Sequence, residues 1–432
     1  MSSPTHSDPL ARELLETFLR WPIYDPHSHI DPLRPAARSL GEILGYHYYT
    51  ELAHSAGMPA ELVDPSRDPD QICRDLTPWL QSIENTVQYS WLIEILQTFH
   101  DLPFDRLTPE VLETALVQTD KRQQGSSWDR QVWDRSNLEA VYLTNEFDDA
   151  LEGFDAGQYI PCLRTDALVL KLHDPATRDR LQRLTGLDVG DLNGLRAAIE
   201  VVFKRFKARG ARACAISLPP DFVADRPTPR RSITPLRRAL QGLELRPDEH
   251  KEIQQLTFWM IAEQCSAHGL PFDLMIGPIR DIYPRGVSGG RDLFDRRVSL
   301  KDYAELFNAF PDVLFPVSTL SPDAGGELVA YSWIFPNVVP LGHWWYSNIP
   351  AFIAADLRAR LQAVPQTKIV GYYSDAYKLE FVLPKFNMFR RVLAETLAED
   401  CVRGRGWSID KALDLGRRVL LENPRELFRL RS

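Results

Sequence analysis

Cysteine is scarce in this 432-residue chain: Cys73, Cys162, Cys214, Cys265 and Cys401 are scattered, odd in number and form no C-x-x-C. That excludes a disulfide framework and fits reduced thiols in a cytosolic protein. Positive charge is also short. Fifty Lys and Arg stand against 59 Asp and Glu, a net charge of -9, which argues against a nucleic-acid partner with its need for a basic face. A local basic pocket for a small acidic molecule remains compatible with that balance. No apolar run is long enough to span a membrane, and the opening "MSSPTHSDPLARELLETFLR" lacks the apolar core of a signal peptide. The expectation is a soluble, cytoplasmic protein with no membrane partner. Internal repeats and low-complexity blocks are missing too. Hydrophobic residues at 44% and charged residues at 25% are ordinary for a globular chain.

Histidine is nearly as rare, ten in all, yet two stand one residue apart in "WPIYDPHSHI". Alternate residues of an extended segment share a face, so His27 and His29 aim two imidazoles the same way. Their surroundings give the pair a context. "DPLARELLETFLR" has the apolar spacing of a lead-in helix, and "SLGEILGYHYYTELAHSAG" reads as a loop and then a helix stopped at Gly57. Residues 1–57 therefore hold the first helix, the first strand and the loop and helix after it. Residues 58–134 read as a helical insertion, with "QYSWLIEILQTFH" its clearest segment. From 135 to 432 strands and helices alternate: "LEAVYLTNEF", "YIPCLRTDALVL", "ARACAISL", "PFDLMIGPI", "VLFPVS", "VVPLGHWW" and "KIVGYYSD" read as strands. With the first, these eight segments predict an α/β fold, a (β/α)₈ barrel with a helical insertion after its first strand.

In such a barrel the polar residues that follow the strands gather at one face. They include His27 and His29, Thr144–Asn145–Glu146, Arg164 and Asp166, Arg280 and Asp281, Asp323, His343–Trp344–Trp345 and Asp375. Barrel closure makes the first and last strands neighbours, which brings Asp375 to the two histidines. Two imidazoles and a carboxylate suit zinc or another first-row divalent ion such as manganese or iron, with positions left open for water or substrate. Blander roles compete. Asp375 also fits a helix N-cap ahead of "AYKLEFVLPKF", and Arg164 fits an ion pair with Asp166. His343 reads more simply as a strand histidine bonded to a neighbour.

The motifs together resemble the uronate isomerase (glucuronate/galacturonate isomerase) family, a branch of the amidohydrolase superfamily of metal-binding barrels. "YDPHSHI" is similar to that family's Y-D-x-H-x-H, and "GYHYYTELAHSAGM" to its D-H-Y-K-x-R-x-x-x-x-G-V stretch, placing His47 and Tyr48 on an active-site His-Tyr pair. "PCLRTDALV" matches P-x-F-R-P-D-K at Arg164 and Asp166, and "IGPIRD" matches I-G-A-L-R-N at Arg280. "LGHWWYSN" resembles F-G-S-x-W-W-F-N-D at Trp344 and Trp345, and "NPRELFRL" the closing N-A-x-x-x-F-x-L. The resemblance runs from about residue 20 to the end. It implies an aldose–ketose isomerase of a sugar acid of the glucuronate or galacturonate type, working by proton transfer through an enediolate. His27, His29 and Asp375 are then the metal ligands, with Asp375, His47 and Tyr48 in catalysis. Arg164, Arg280 and Trp344 bind the substrate. Self-association is left open.

The departures shape the expectation. The family's D-S-R becomes "SDAYKLEF", so Tyr377 stands where an arginine belongs, with Lys378 beside it; both join the substrate-binding candidates. Ile216 and Met275 occupy places where the family has histidines, which points to one ion rather than two. A hydrolase or lyase of the same superfamily, acting on a sugar-acid derivative, lactone or ester, is the alternative activity. A non-catalytic binding barrel is the third reading.

Overall fold

The computed structural model describes residues 8–429 apart from Gln124 and Ser126; the opening "MSSPTHS" and the last residue of "NPRELFRL" lie outside the described residues. The chain enters through a helix at Pro9–Arg20. Asp8 caps it by accepting from the Leu10 amide, Pro9 sits in the first turn, and Ala11, Leu14 and Phe18 form its buried face. Burying side chains such as Leu14 and Phe18 stabilises the fold by about 2 kcal/mol each. The late helix Ile409–Arg417 packs on this face at Gly416, where a Cβ would stand 2.7 Å from the Phe18 ring.

Among the described residues, seven parallel strands follow in ring order. They are β1 (Ile23–Asp25), β2 (Leu138–Tyr142, extended by Asn145–Glu146) and β3 (Tyr159–Ile160 and Cys162–Arg164, interrupted at Pro161). Then come β4 (Ala213–Leu218), β5 (Phe272–Ile276), β6 (Phe315–Thr319) and β7 (Val338–Pro340). Pairings such as Tyr24 with Ala140, Tyr142 with Ile160, Leu163 with Cys214, Ile216 with Leu274, Val317 with Leu274, and Phe315 with Val338 fix the register from β1 to β7. The eighth position is residues 369–375. These residues make one parallel bridge, Leu341 with Val370, instead of the regular strand expected from "KIVGYYSD". The ring closes onto β1 through the Asp375 amide donating to the His27 carbonyl (3.1 Å) and the His29 amide to the Ala376 carbonyl (2.8 Å). The result is a (β/α)₈ barrel.

Helices cover the outside. Leu192–Ala208, Pro247–His268, Gly325–Ile334 and Pro350–Ala363 each connect successive strands. Their buried faces meet apolar strand residues such as Cys214, Leu274, Phe315 and Val317, as a parallel sheet covered by helices requires. "YIPCLRTDALVL" departs from its expected strand. Its second half is a short helix, Asp166–Leu170, because the strand ends once Arg164 reaches the polar mouth. Between β1 and β2 the chain forms helices at Pro69–Leu80, Val87–His100, Pro109–Gln123 and Trp128–Arg135. No helix among the described residues is long and apolar enough to cross a membrane.

Candidate active site

The strand ends converge on a cavity of about 230 Å³. His27, His29 and Asp375 sit at its base, where three ligand atoms, one from each, all lie within 4.8 Å of one another. His29 Nε2 is 3.2 Å and His27 Nε2 is 3.8 Å from the same Asp375 oxygen. Asp375 is not a helix cap; Lys378 takes the cap position of the turn Leu379–Phe381. Instead Asp375 has a left-handed backbone, φ 51°, held by the hydrogen bond its amide donates to the His27 carbonyl. Such a conformation costs about 1 kcal/mol or more outside glycine, and it persists here because the barrel seam imposes it.

Hydrogen bonds set the tautomers. Asp273, buried in the middle of β5, accepts from His27 Nδ1 at 3.2 Å. Thr144 donates its hydroxyl proton to the Ser28 carbonyl (3.0 Å), so its oxygen accepts from His29 Nδ1 (2.6 Å). Both Nε2 atoms are thereby left with lone pairs turned toward a carboxylate, and His27 Nε2 is buried without a partner. Two lone pairs and an anion held together in a dry site repel unless a cation joins them. The donor set therefore fits a divalent ion, and the carboxylate behind His27 is the usual outer support of such a ligand. Burial pulls His27 down, but Asp273, Asp375 and Asp25 more than offset it and draw its pKa up. His29, with less carboxylate help, is drawn down by burial. Burial raises Asp375, yet His29, His27 and Lys385 outweigh it and keep the carboxyl below its ordinary value.

Lys385 lies fully buried beneath this base. It donates to the Ser374 carbonyl (2.9 Å) and the Tyr46 hydroxyl (2.8 Å), and faces the rings of Tyr46, Tyr48 and Trp91 at 5.1–5.2 Å. Burial lowers its pKa to about 8. Asp25, accepting from the amide and hydroxyl of Ser374, is pushed by burial up to about 6.

The wall holds the other candidates. His47 is desolvated and near Lys385, which lowers its pKa to about 4, so its imidazole is neutral at pH 7. Gly289, at φ +81°, lies over it, with a Cβ there only 3.1 Å from the His47 Cβ. Arg164 lines the cavity and bonds to Asp166 at 3.1 Å, as an ion pair at that spacing would. Arg280 also lines it, but pairs with Asp292 (2.5 Å) and reaches the Ser217 hydroxyl at 3.4 Å; its sequence neighbour Asp281 pairs with Arg291 instead. Trp344 and Tyr377 complete the wall, Tyr377 stacked on His29 with ring centroids 5.0 Å apart. Burial pushes the Tyr377 phenol up to about 12, so it offers a neutral hydroxyl where the resemblance has a cation. Ile216 and Met275 line the cavity as the apolar residues that leave room for one ligand set.

Two candidates are placed differently from expectation. Lys378 does not line the cavity. Its ammonium donates to the Arg34 carbonyl (3.1 Å) and pairs with Glu42 (3.2 Å), because the turn after Asp375 sends successive side chains opposite ways and Glu42 supplies the counter-charge outside. Tyr48 is buried behind the wall, its oxygen accepting from the Trp345 amide at 3.0 Å. His343 bonds to Asp356 at 3.1 Å, away from the cavity, the simpler of its two readings. Sequence reasoning missed Asp273 and Lys385. A carboxylate inside the apolar run "PFDLMIGPI" was the available signal, since a buried charge needs a partner.

The model of the glucuronate isomerase family matches residues 6–428. A uronate isomerase of Rhizorhabdus wittichii is 24% identical over 90% of this chain and 89% of its own, and one of Thermotoga neapolitana is 22% identical over 94% of each. The solved structure of a uronate isomerase from Thermotoga maritima superimposes with a TM-score of 0.91 at 20% identity, covering 99% of this chain and all of the other. That likeness establishes the fold; the family match, carried almost from end to end, establishes more. The chain belongs to the glucuronate isomerase family and is an enzyme that interconverts an aldose and a ketose sugar acid.

Proposed function

We propose that the cavity above His27, His29 and Asp375 is where a glucuronate- or galacturonate-type acid is isomerised, with one divalent ion, zinc first, held by these three residues. The observation that carries this reading is the convergence of three ligand atoms, from buried His27 and Asp375 and half-buried His29, below two arginine-bearing walls of one cavity. When bound, the ion supplies Lewis acidity that lowers the energy of an enediolate. The protein's own groups do the rest. Arg164 and Arg280 supply guanidinium donors for the substrate carboxylate, each held in place by an aspartate. His47, neutral at working pH, exchanges a proton with a sugar hydroxyl on ring opening. Asp375 carries the proton between adjacent carbons. Trp344 excludes water from the open-chain intermediate, and the Tyr377 hydroxyl gives a neutral hydrogen bond where a cation is missing. Tyr48 fixes Trp345 from behind.

A coupled assay on glucuronate and galacturonate tests the reading. Turnover of at least one, abolished by chelation and restored by zinc, manganese or iron, supports it; no turnover at high enzyme concentration overturns it.

A further inference from the structure

A second and larger cavity, about 690 Å³, lies on the other side of Trp345 from the sugar-acid site. Its lining is mostly apolar, with Trp345 and Tyr346 stacked nearly parallel, 13° between planes and 5.0 Å between centroids. Asn85 and Gln88 give its polar edge, and Glu51 is its one carboxyl group. Among the described residues no lysine or arginine lines it, so it offers an anion no cationic partner. Glu51 itself is half-buried. Its Oε2 accepts from Trp345 Nε1 at 3.3 Å, while its Oε1 is buried with no hydrogen-bond partner among the described residues. Trp345 holds a left-handed backbone, φ 49°, a strain of the kind found at ligand sites.

We propose that this cavity is a binding site for a neutral pyranose, its C–H face against the open side of the Trp345–Tyr346 stack and its hydroxyls on Glu51, Asn85 and Gln88. The chemistry selects that class. Aromatic faces take the apolar face of a sugar ring, amides and a carboxyl take its hydroxyl rim, and the lack of a cation turns away a second sugar acid. Burial pushes the Glu51 carboxyl up to about 8, so at neutral pH it is uncharged and donates as well as accepts. Two sources of such a ring share this chemistry. One is a free neutral sugar. The other is a neutral hexose joined to the uronate away from its aldehyde carbon, which must stay free to react; only this second source rests on the isomerase reading.

Calorimetric titration with a methyl glucopyranoside tests the site. Saturable binding is expected, unaffected by glucuronate and weakened at least tenfold in Ala351→Trp, which fills the cavity from an exposed position on the helix Pro350–Ala363. Gln88→Leu is expected to weaken it less, and covers the case in which the tryptophan variant misfolds. Absent binding, binding unchanged in both variants, or displacement by glucuronate overturns the proposal. A uronate carrying a hexose on its O4 separates the sources. A kcat/KM about tenfold above that of the free uronate, lost in Ala351→Trp, identifies the joined sugar; equal values identify a free one. Sugar binding without any uronate turnover breaks the isomerase reading and leaves this one standing.

Discussion

His27 in the barrel and His100 in the helical insertion are both sealed from solvent, and each carries ring nitrogen without a hydrogen-bond partner. Their neighbours differ in sign. His27 has Asp273 on one nitrogen and Asp375 across from the other, so its free lone pair faces negative charge and asks for a cation. His100 ends the helix Val87–His100, stacks on Trp128 at 5.1 Å, and has the charges of Arg122 and Arg135 nearby. Burial and those arginines lower its pKa to about 3. A buried imidazole thus faces carboxylates, as the proposed metal site requires, in one region and is a neutral aromatic filler in the other.

Substitutions sharpen that contrast in descending order of effect. His27→Ala with His29→Ala is expected to lower uronate turnover by roughly a thousandfold, measured by the coupled assay, since the ion's several kcal/mol of charge stabilisation goes with its ligands. Asp273→Asn keeps the shape but removes the charge behind His27; metal affinity, measured by competition with a chelator, is expected to fall about 10- to 100-fold. Arg280→Ala is expected to raise KM by about 10- to 100-fold with a smaller change in kcat, because one charged hydrogen bond to the carboxylate is worth about 1.5–3 kcal/mol.

The insertion gives the opposite result. His100→Phe keeps the stack and removes two unpartnered nitrogens, so chemical denaturation is expected to show a gain of about 1 kcal/mol at pH 7 and unchanged turnover. The sign with pH follows from linkage. The unfolded chain takes up the His100 proton near pH 6.5 and the folded chain only near 3, so this group's contribution is complete above 6.5 and lost as pH falls toward 3. The phenylalanine variant is expected to lose less stability over that window. Smallest of all, Lys378→Ala removes one partly exposed pair with Glu42, and changes stability by less than about 1 kcal/mol and turnover not at all.

How much of this could be read from residues alone follows the same physics. The barrel was legible because covered parallel strands must be apolar, and "ARACAISL" and "PFDLMIGPI" stand out between amphipathic helices. His27, His29 and Asp375 were legible because their positions follow from strand alternation and ring closure. Lys378 was misplaced because adjacency along the chain says nothing of direction after a left-handed residue: Tyr377 turns to the cavity and Lys378 to Glu42. Asp273 went unnoticed because its partner lies 246 residues away, and only the folded barrel joins them. Lys385 was hidden for a similar reason, inside a helix whose neighbours are apolar.

The central claim is that two imidazoles just after the first strand and a carboxylate at the eighth position of the ring share one ion. Elemental analysis of the purified chain beside its His27→Ala/His29→Ala variant measures this most directly. The account predicts close to one divalent ion per chain in the parent and almost none in the variant; the same metal content in both would contradict it.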